Sequence, residues 1–286
     1  MGDRRDYNIL AIIFFLLLLA HPTISDVSKE GNNSLSVYSL VHLSDTQNLA
    51  SFHPEVYNHT FSYLESIKEV QNISAIIITG DFVNTYDNET EWNAYRNAIN
   101  KTSIPVYATA GNHDTAYGLV YSFFSQYTGN TKPYSVTSIN DFNLVSIDYS
   151  IVSLASHEFQ SIRDKMDQYP HSFTIIATHH YMEPDGSLSL LGENIDKELI
   201  RYPTLVMAGH RHVQSISTHI VDQYPVIVDI ANYQDGDSQG MNRTDHSAGT
   251  LFTVTSRNGV VEKISSRIIR IFPDPVIGQE HVVYEL

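Results

Sequence analysis

The sequence predicts an α/β fold in which two β-sheets pack together and are covered by helices. Three observations carry that expectation. The first half alternates short β-branched apolar runs with amphipathic runs at helical spacing. The last third is β-rich, with turn residues between its runs. No internal repeat, low-complexity tract or second domain boundary interrupts residues 36–286.

In chain order, Ser36 to Leu43 reads as the first strand. His53-Pro54 then opens a helix, with proline in the first turn and Tyr57, Phe61, Leu64 and Ile67 on one face. Ser74 to Thr79 is continuously apolar, as in a strand covered on both faces. Asn88 and Glu91 have capping-box spacing, and Trp92, Tyr95 and Ile99 stripe the helix behind them. Pro105 to Ala110 is a third strand. The aromatic stretch from Tyr117 to Tyr134 holds a short helix and a hairpin strand, its rings expected to pack. Asn143 to Tyr149 is a strand, and Ser156 to Tyr169 is amphipathic, with Phe159, Ile162 and Met166 at helical spacing. Ser172 to Thr178 and Thr204 to Ala208 are strands, and Glu193 to Tyr202 is a helix between them. Pro225 to Ile230, Thr250 to Thr255 and Val260 to Ile271 complete the β-rich end, with Asn258-Gly259 as a hairpin turn.

Composition narrows the chemistry. The 286 residues are 42% hydrophobic, enough for a large core. The formal charge is -15 with only 17 Lys and Arg, so no specific nucleic-acid binding is expected. Cysteine is absent, which excludes disulfides, thiolate metal sites and cysteine nucleophiles. Fourteen histidines point instead toward metal chemistry.

Five of the strands end in residues able to hold a metal or a phosphate. Their tips are Asp45-Thr46-Gln47, Gly80-Asp81, Gly111-Asn112-His113-Asp114, His179-His180 and Gly209-His210-Arg211-His212. In open α/β sheets ligands bind outside the carboxyl ends of the strands. Asp45, Gln47, Asp81, Asn112, His179, His210 and His212 form a set of carboxylates, amides and imidazoles without thiolate, which suits Mn, Fe, Zn or Co. Seven ligands exceed one four-coordinate site and fit two metals bridged by a carboxylate. Such a pair, about 3.5–4 Å apart, clamps a phosphoryl group and activates water. If the Asp45–Gln47 segment is extended, both side chains share a face. Strand phase favours His179 over His180 at the tip. His42, His53, His157, His171 and His219 read as ordinary core or surface histidines, and Asp45 and Asp81 taken singly could be helix caps. Asp148, Asp229 and Asp235 are weaker candidates for supporting roles.

The ordered series Asp-x-Gln, Gly-Asn-His-Asp and Gly-His-x-His resembles the calcineurin-like metallophosphoesterases, over roughly Ser36 to Ile271. The resemblance implies a four-layer α/β/β/α sandwich of two mixed sheets with a dinuclear centre. It implies two divalent metal ions and hydrolysis of a phosphate monoester or diester by a hydroxide bridging them. It makes Asp81 the bridge, assigns Asp45, Gln47 and His212 to one metal, and assigns Asn112, His179 and His210 to the other. His113 is then the catalytic histidine facing the phosphoryl group, and Asp114 its orienting partner. The sequence departs from the usual pattern at Gln47, where the family generally has histidine. Purple acid phosphatases of the superfamily carry a tyrosine at the position of Asn84, so no iron–tyrosinate centre is expected. The alternative is a non-catalytic metal- and phosphate-binding protein of the same fold.

Residues 1–25 read as a signal peptide or N-terminal anchor, and 26–35 as a linker. Arg4 and Arg5 precede an apolar run from Ile9 to Ala20, with a possible cut after Ser25. The expected location is secreted or extracytoplasmic, with a membrane association only if the apolar segment is retained. Sequons at Asn32, Asn58, Asn72, Asn88, Asn100 and Asn242 agree with a glycoprotein.

Overall fold

The computed structural model describes residues 34–149, 156–169, 171–211, 213–231, 247–272 and 274–286. Among the described residues thirteen strands form two sheets. The first contains β1 (Leu35–Leu43), β2 (Ile73–Ile78), β3 (Val106–Ala108), β10 (Ser247–Arg257), β11 (Val260–Phe272), β12 (Val276–Ile277) and β13 (His281–Glu285), in the order β12-β11-β10-β1-β2-β3 with β13 also on β11. The second runs β4-β5-β6-β7-β9-β8, built from β4 (Tyr134–Ile139), β5 (Phe142–Ile147), β6 (Phe173–Thr178), β7 (Thr204–Ala208), β8 (Ser215–Val221) and β9 (Tyr224–Ile230). Strands β1, β2 and β3 are parallel, as are β5, β6, β7 and β9, so each sheet has a run of carboxyl ends.

The two sheets bury Leu40, Ile77, Leu144, Ile175, Leu205 and Phe252 between them. Their outer faces are covered by helices. On the first sheet lie α1 (Gln47–Phe52), α2 (Pro54–Gln71), α3 (Glu89–Ile99) and α4 (Ser122–Thr128), with Phe61, Trp92 and Phe124 in that core. On the second lie α5 (Ser156–Met166) and α6 (Leu190–Leu199), with Phe159, Ile162 and Ile195 inward. These are the four layers of an α/β/β/α sandwich. The aromatic stretch packs as expected: Trp92 stacks on Tyr127 at 5.2 Å and Tyr121 meets Phe124 edge-on at 5.3 Å.

The helix starts agree with the sequence expectation at one cap and depart from it elsewhere. Helix α6 begins at Leu190, not Glu193, because the Ser189 hydroxyl caps it by accepting from the Gly192 amide at 3.0 Å. Helix α3 is capped by Asn88 from the Thr90 amide, but Glu91 reaches past the cap to the Asn84 and Thr85 amides at 2.7 and 3.1 Å. It thereby ties the loop after Asp81 to the helix. Helix α1 was not expected at all, and it contains Gln47.

Polar contacts stitch the sheets together beside the strand tips. His42 on β1 meets Asp229 on β9 at 2.6 Å, and its other ring nitrogen meets the Thr79 hydroxyl at 2.9 Å. At the far side of the tips the Ala110 amide donates to Asp148 at 2.7 Å and the Tyr149 amide to the Ala110 carbonyl at 2.9 Å. His42 is thus the core histidine expected, and Asp148 and Asp229 are buried struts.

Candidate metal centre

Asp45, Asp81 and Asn112 follow β1, β2 and β3, while His179 and His210 follow β6 and β7. The carboxyl ends of both sheets therefore supply one cluster. Asp81, His179 and His210 each offer a ligand atom within 4.8 Å of the others. The chain turns abruptly at three of these positions: Asp45, Asp81 and His210 have φ of 53°, 54° and 71°. Non-glycine residues visit that left-handed region rarely and at a cost, and such outliers cluster at functional sites. The turn at Asp45 corrects the extended segment expected there. It swings the chain into α1, so Gln47 reaches the cluster from the first residue of a helix. The Thr46 hydroxyl holds this turn against the Tyr57 hydroxyl at 2.8 Å.

Close approach of backbone is needed where the two sheets meet. A Cβ on Gly209 would lie 1.9 Å from Ser44 Oγ and 2.2 Å from Asp45 Oδ2. A Cβ on Gly111 would lie 2.1 Å from Asp81 Oδ1. The two glycines of the Gly-His and Gly-Asn motifs are there because the carboxylates occupy the space of their missing side chains.

The interior hydrogen bonds aim the ligand atoms. His179 donates Nδ1–H to the Thr79 carbonyl at 2.7 Å, which leaves Nε2 toward the cluster. Around Nε2 stand Asn112 Oδ1 at 3.1 Å, His210 Nδ1 at 3.2 Å and Asp81 Oδ2 at 3.3 Å. Burial lowers the His179 pKa, but Asp81 and then Asp45 overcome it and raise the ring to about 9. A proton on Nε2 thus sits among three acceptors, where a cation is called for. Burial, then the neighbouring His179, lowers His210 to about 3. Burial pushes Asp45 up to about 6, with Asp81 adding to it against the pull of His179. Burial also opposes the Asp81 carboxylate, yet His179 holds it below its usual range.

The residues fit a divalent metal on one further observation. Gln47 donates its amide to Asp81 Oδ2 at 3.3 Å, while its buried Oε1 has no hydrogen-bond partner among the described residues. An orphaned buried acceptor is costly, and a cation satisfies it. Five more candidate ligands share the cluster, all oxygen or imidazole nitrogen, so borderline-hard divalent ions suit it. His212 lies outside the described residues.

His113 is half-buried, with its amide on Asp81 Oδ1 at 3.0 Å and its Nδ1 on the Asn84 carbonyl at 2.8 Å. That carbonyl, and not Asp114, orients the ring, which corrects the role expected for Asp114. The Asp114 carboxylate is fully buried and accepts from the amides of Gly111, Asp81 and Phe82 at 2.7–2.8 Å and Val83 at 3.3 Å. It clamps the two ligand loops together. Burial, then Asp81, pushes its carboxyl up to about 7 against the pull of those amides. The Asn84 side chain turns away to Ser51 and Asn48 at 2.8 and 3.3 Å.

Two neighbours of the cluster were missed by sequence reasoning. Tyr149 stacks against His180 at 6.1 Å and meets the His210 and His179 rings at 5.3 and 5.8 Å. Ser44 donates to Asp45 at 2.7 Å. Only the position of Tyr149 at the end of a strand could have flagged it.

The sequence profile of the calcineurin-like phosphoesterases matches residues 38–214. The chain belongs to that family. The family uses a dinuclear metal centre, and the cluster above lies within the matched segment. An uncharacterized protein of Bacillus subtilis, YvnB, is 26% identical over 209 residues, 65% of this chain but 16% of YvnB, so the chain spans about a sixth of that relative. Three solved structures share the fold. A purple acid phosphatase from yellow lupin seeds has a TM-score of 0.58 at 13% identity, covering 86% of this chain and 53% of its own. A dimetal phosphatase from Danio rerio has 0.58 at 10%, covering 87% and 99%. GAP50, the anchor in the inner membrane complex of Plasmodium, has 0.55 at 11%, covering 87% and 89%.

Proposed function

We propose that this calcineurin-like phosphoesterase is an exported, metal-dependent hydrolase of a phosphate monoester or diester. The observation that carries the reading is the buried Gln47 Oε1, without a hydrogen-bond partner among the described residues, inside a cluster completed by Asp45, Asp81, Asn112, His179 and His210. When bound there, divalent metals would supply an activated water as nucleophile and neutralise phosphoryl charge. Asp81, central to the cluster, would bridge them. Asp45 and Gln47, with His212, would serve one metal, and Asn112, His179 and His210 the other. The chain's own contribution is positioning and proton handling. His113 has its Nδ1 fixed on the Asn84 carbonyl, which leaves Nε2 as the ring atom to face a substrate. Protonated there, it donates to a phosphoryl oxygen or to the departing alkoxide. Asp114 holds the loops that carry Asp81 and Asn112, so it is a positioning residue.

Stripped protein reloaded with Mn, Zn, Fe or Co, then assayed against monoesters and diesters, tests the reading. Metal-dependent turnover of either class is the expected result. Metal binding without turnover of any ester would favour the alternative, a non-catalytic protein of the same fold.

Export rests on Arg4, Arg5 and the Ile9–Ala20 run. Native protein should begin near Asp26. An intact Met1 on soluble cytosolic protein would overturn export, and an intact Met1 on membrane-bound protein would make the segment an anchor.

A further inference from the structure

A cavity of about 180 Å³ opens beside the metal centre, lined by Tyr149, His180, Glu183, Ser189, Leu190 and Leu191. It adjoins the cluster through His180, whose ring lies 4.5 Å from that of His210, and through Tyr149, which touches both His179 and His210. Three polar groups of its wall are already engaged. Ser189 Oγ donates to the His180 carbonyl at 3.1 Å and accepts from the Gly192 amide at 3.0 Å. His180 Nε2 meets Glu183 Oε1 at 3.1 Å, and the same oxygen accepts from Arg211 at 2.7 Å. Beside these pairs the wall offers apolar surface: the Tyr149 ring, nearly parallel to His180 at 23°, and the two leucines. Leu190 is 58% exposed although it stands at the first turn of α6, where a polar residue would serve the helix better.

We infer that this cavity receives the ester group of the substrate, and that this group is apolar and about one ring across. An apolar cavity of about 150 Å³ is enough for a benzene-sized guest. A sugar or a polyol would set hydroxyls against the Tyr149 ring and the two leucines, which disfavours it. The inference rests on the phosphoesterase reading and names the substrate class of that same site.

The test is calorimetric, on metal-loaded protein with two ligands that cannot be hydrolysed, phenylphosphonate and methylphosphonate. Phenylphosphonate should bind at least ~10-fold tighter, the discrimination that small apolar groups earn in such pockets. Leu190→Asp places an acid in a first helical turn, where it is tolerated, and should abolish the preference. Tyr149→Ala should do the same. Equal affinities for the two ligands in the wild type overturn the inference and leave the phosphoesterase reading intact. A preference that survives both substitutions also overturns it. If neither ligand binds, both readings fall.

Discussion

The two sheets contribute unlike halves to the centre. The first sheet delivers Asp45, Asp81 and Asn112, on loops tied down by amide hydrogen bonds to carboxylates. The second delivers His179 and His210, which depend on the first for their aim. His179 is oriented by the Thr79 carbonyl across the sheet interface, and the His210 amide rests on Asp45 Oδ2 at 2.9 Å. The acid half is held chiefly by its own carboxylates, with Asp148 of the second sheet bracing it at Ala110, whereas the imidazole half borrows geometry from it. Damage to the acid half should therefore spread across the site, and damage elsewhere should stay local.

The sharpest way to break this asymmetry is Asp81→Asn. It removes the charge that faces His179 and, as proposed, both metals. Metal content by elemental analysis should collapse and activity should fall by roughly 10³-fold. His113→Ala should behave oppositely in one readout. Metal content stays near wild type while turnover drops by about 10²–10⁴. The loss should shrink for nitrophenyl esters, whose nitrophenolate leaves without protonation. Loss of metal in this variant would move His113 among the ligands.

Asp114→Asn tests the clamp. The amide that replaces one carboxylate oxygen would face backbone donors, and each donor left unpaired in the interior costs about 1–3 kcal/mol. A lowered melting temperature should accompany a fall in metal affinity of roughly 10–100-fold, the usual effect of losing support behind ligands. A change confined to turnover, with stability and metal affinity intact, would contradict the positioning role. The mildest effects belong at Gln47. Gln47→Leu should weaken metal binding, and Gln47→His should keep or improve it. Unchanged metal content and activity in the leucine variant would remove Gln47 from the ligand set.

Much of the fold was legible because β2, β6 and β7 are apolar runs that end in polar tips, and because α2 and α3 carry clear helical stripes. The site was legible for a related reason: its residues sit at strand ends, where neighbours in sequence mark neighbours in space. The parts that escaped depend on backbone conformation or on contacts across the fold. Nothing local announces that Asp45 adopts a left-handed turn, so the helix that starts at Gln47 was hidden. The resemblance made Asp114 the partner of His113, a role that the amides of Gly111, Asp81, Phe82 and Val83 pre-empt. Strand β8 escaped because it is an edge strand with mostly exposed residues, so burial imposes little pattern on it.

The left-handed turns at Asp45, Asp81 and His210 make thermal denaturation a gauge of ion occupancy. Each turn costs the polypeptide on the order of 1–3 kcal/mol, and crowding acids beside it adds to the burden. A protein folded around such a cluster gives up stability that a bound cation returns. Ligands that bind only the native state raise its stability by mass action, about 2.7 kcal/mol at a hundred times the dissociation constant. Chelation should thus shift the whole melting curve downward, and titrating each candidate ion back should rank their affinities without any substrate in hand.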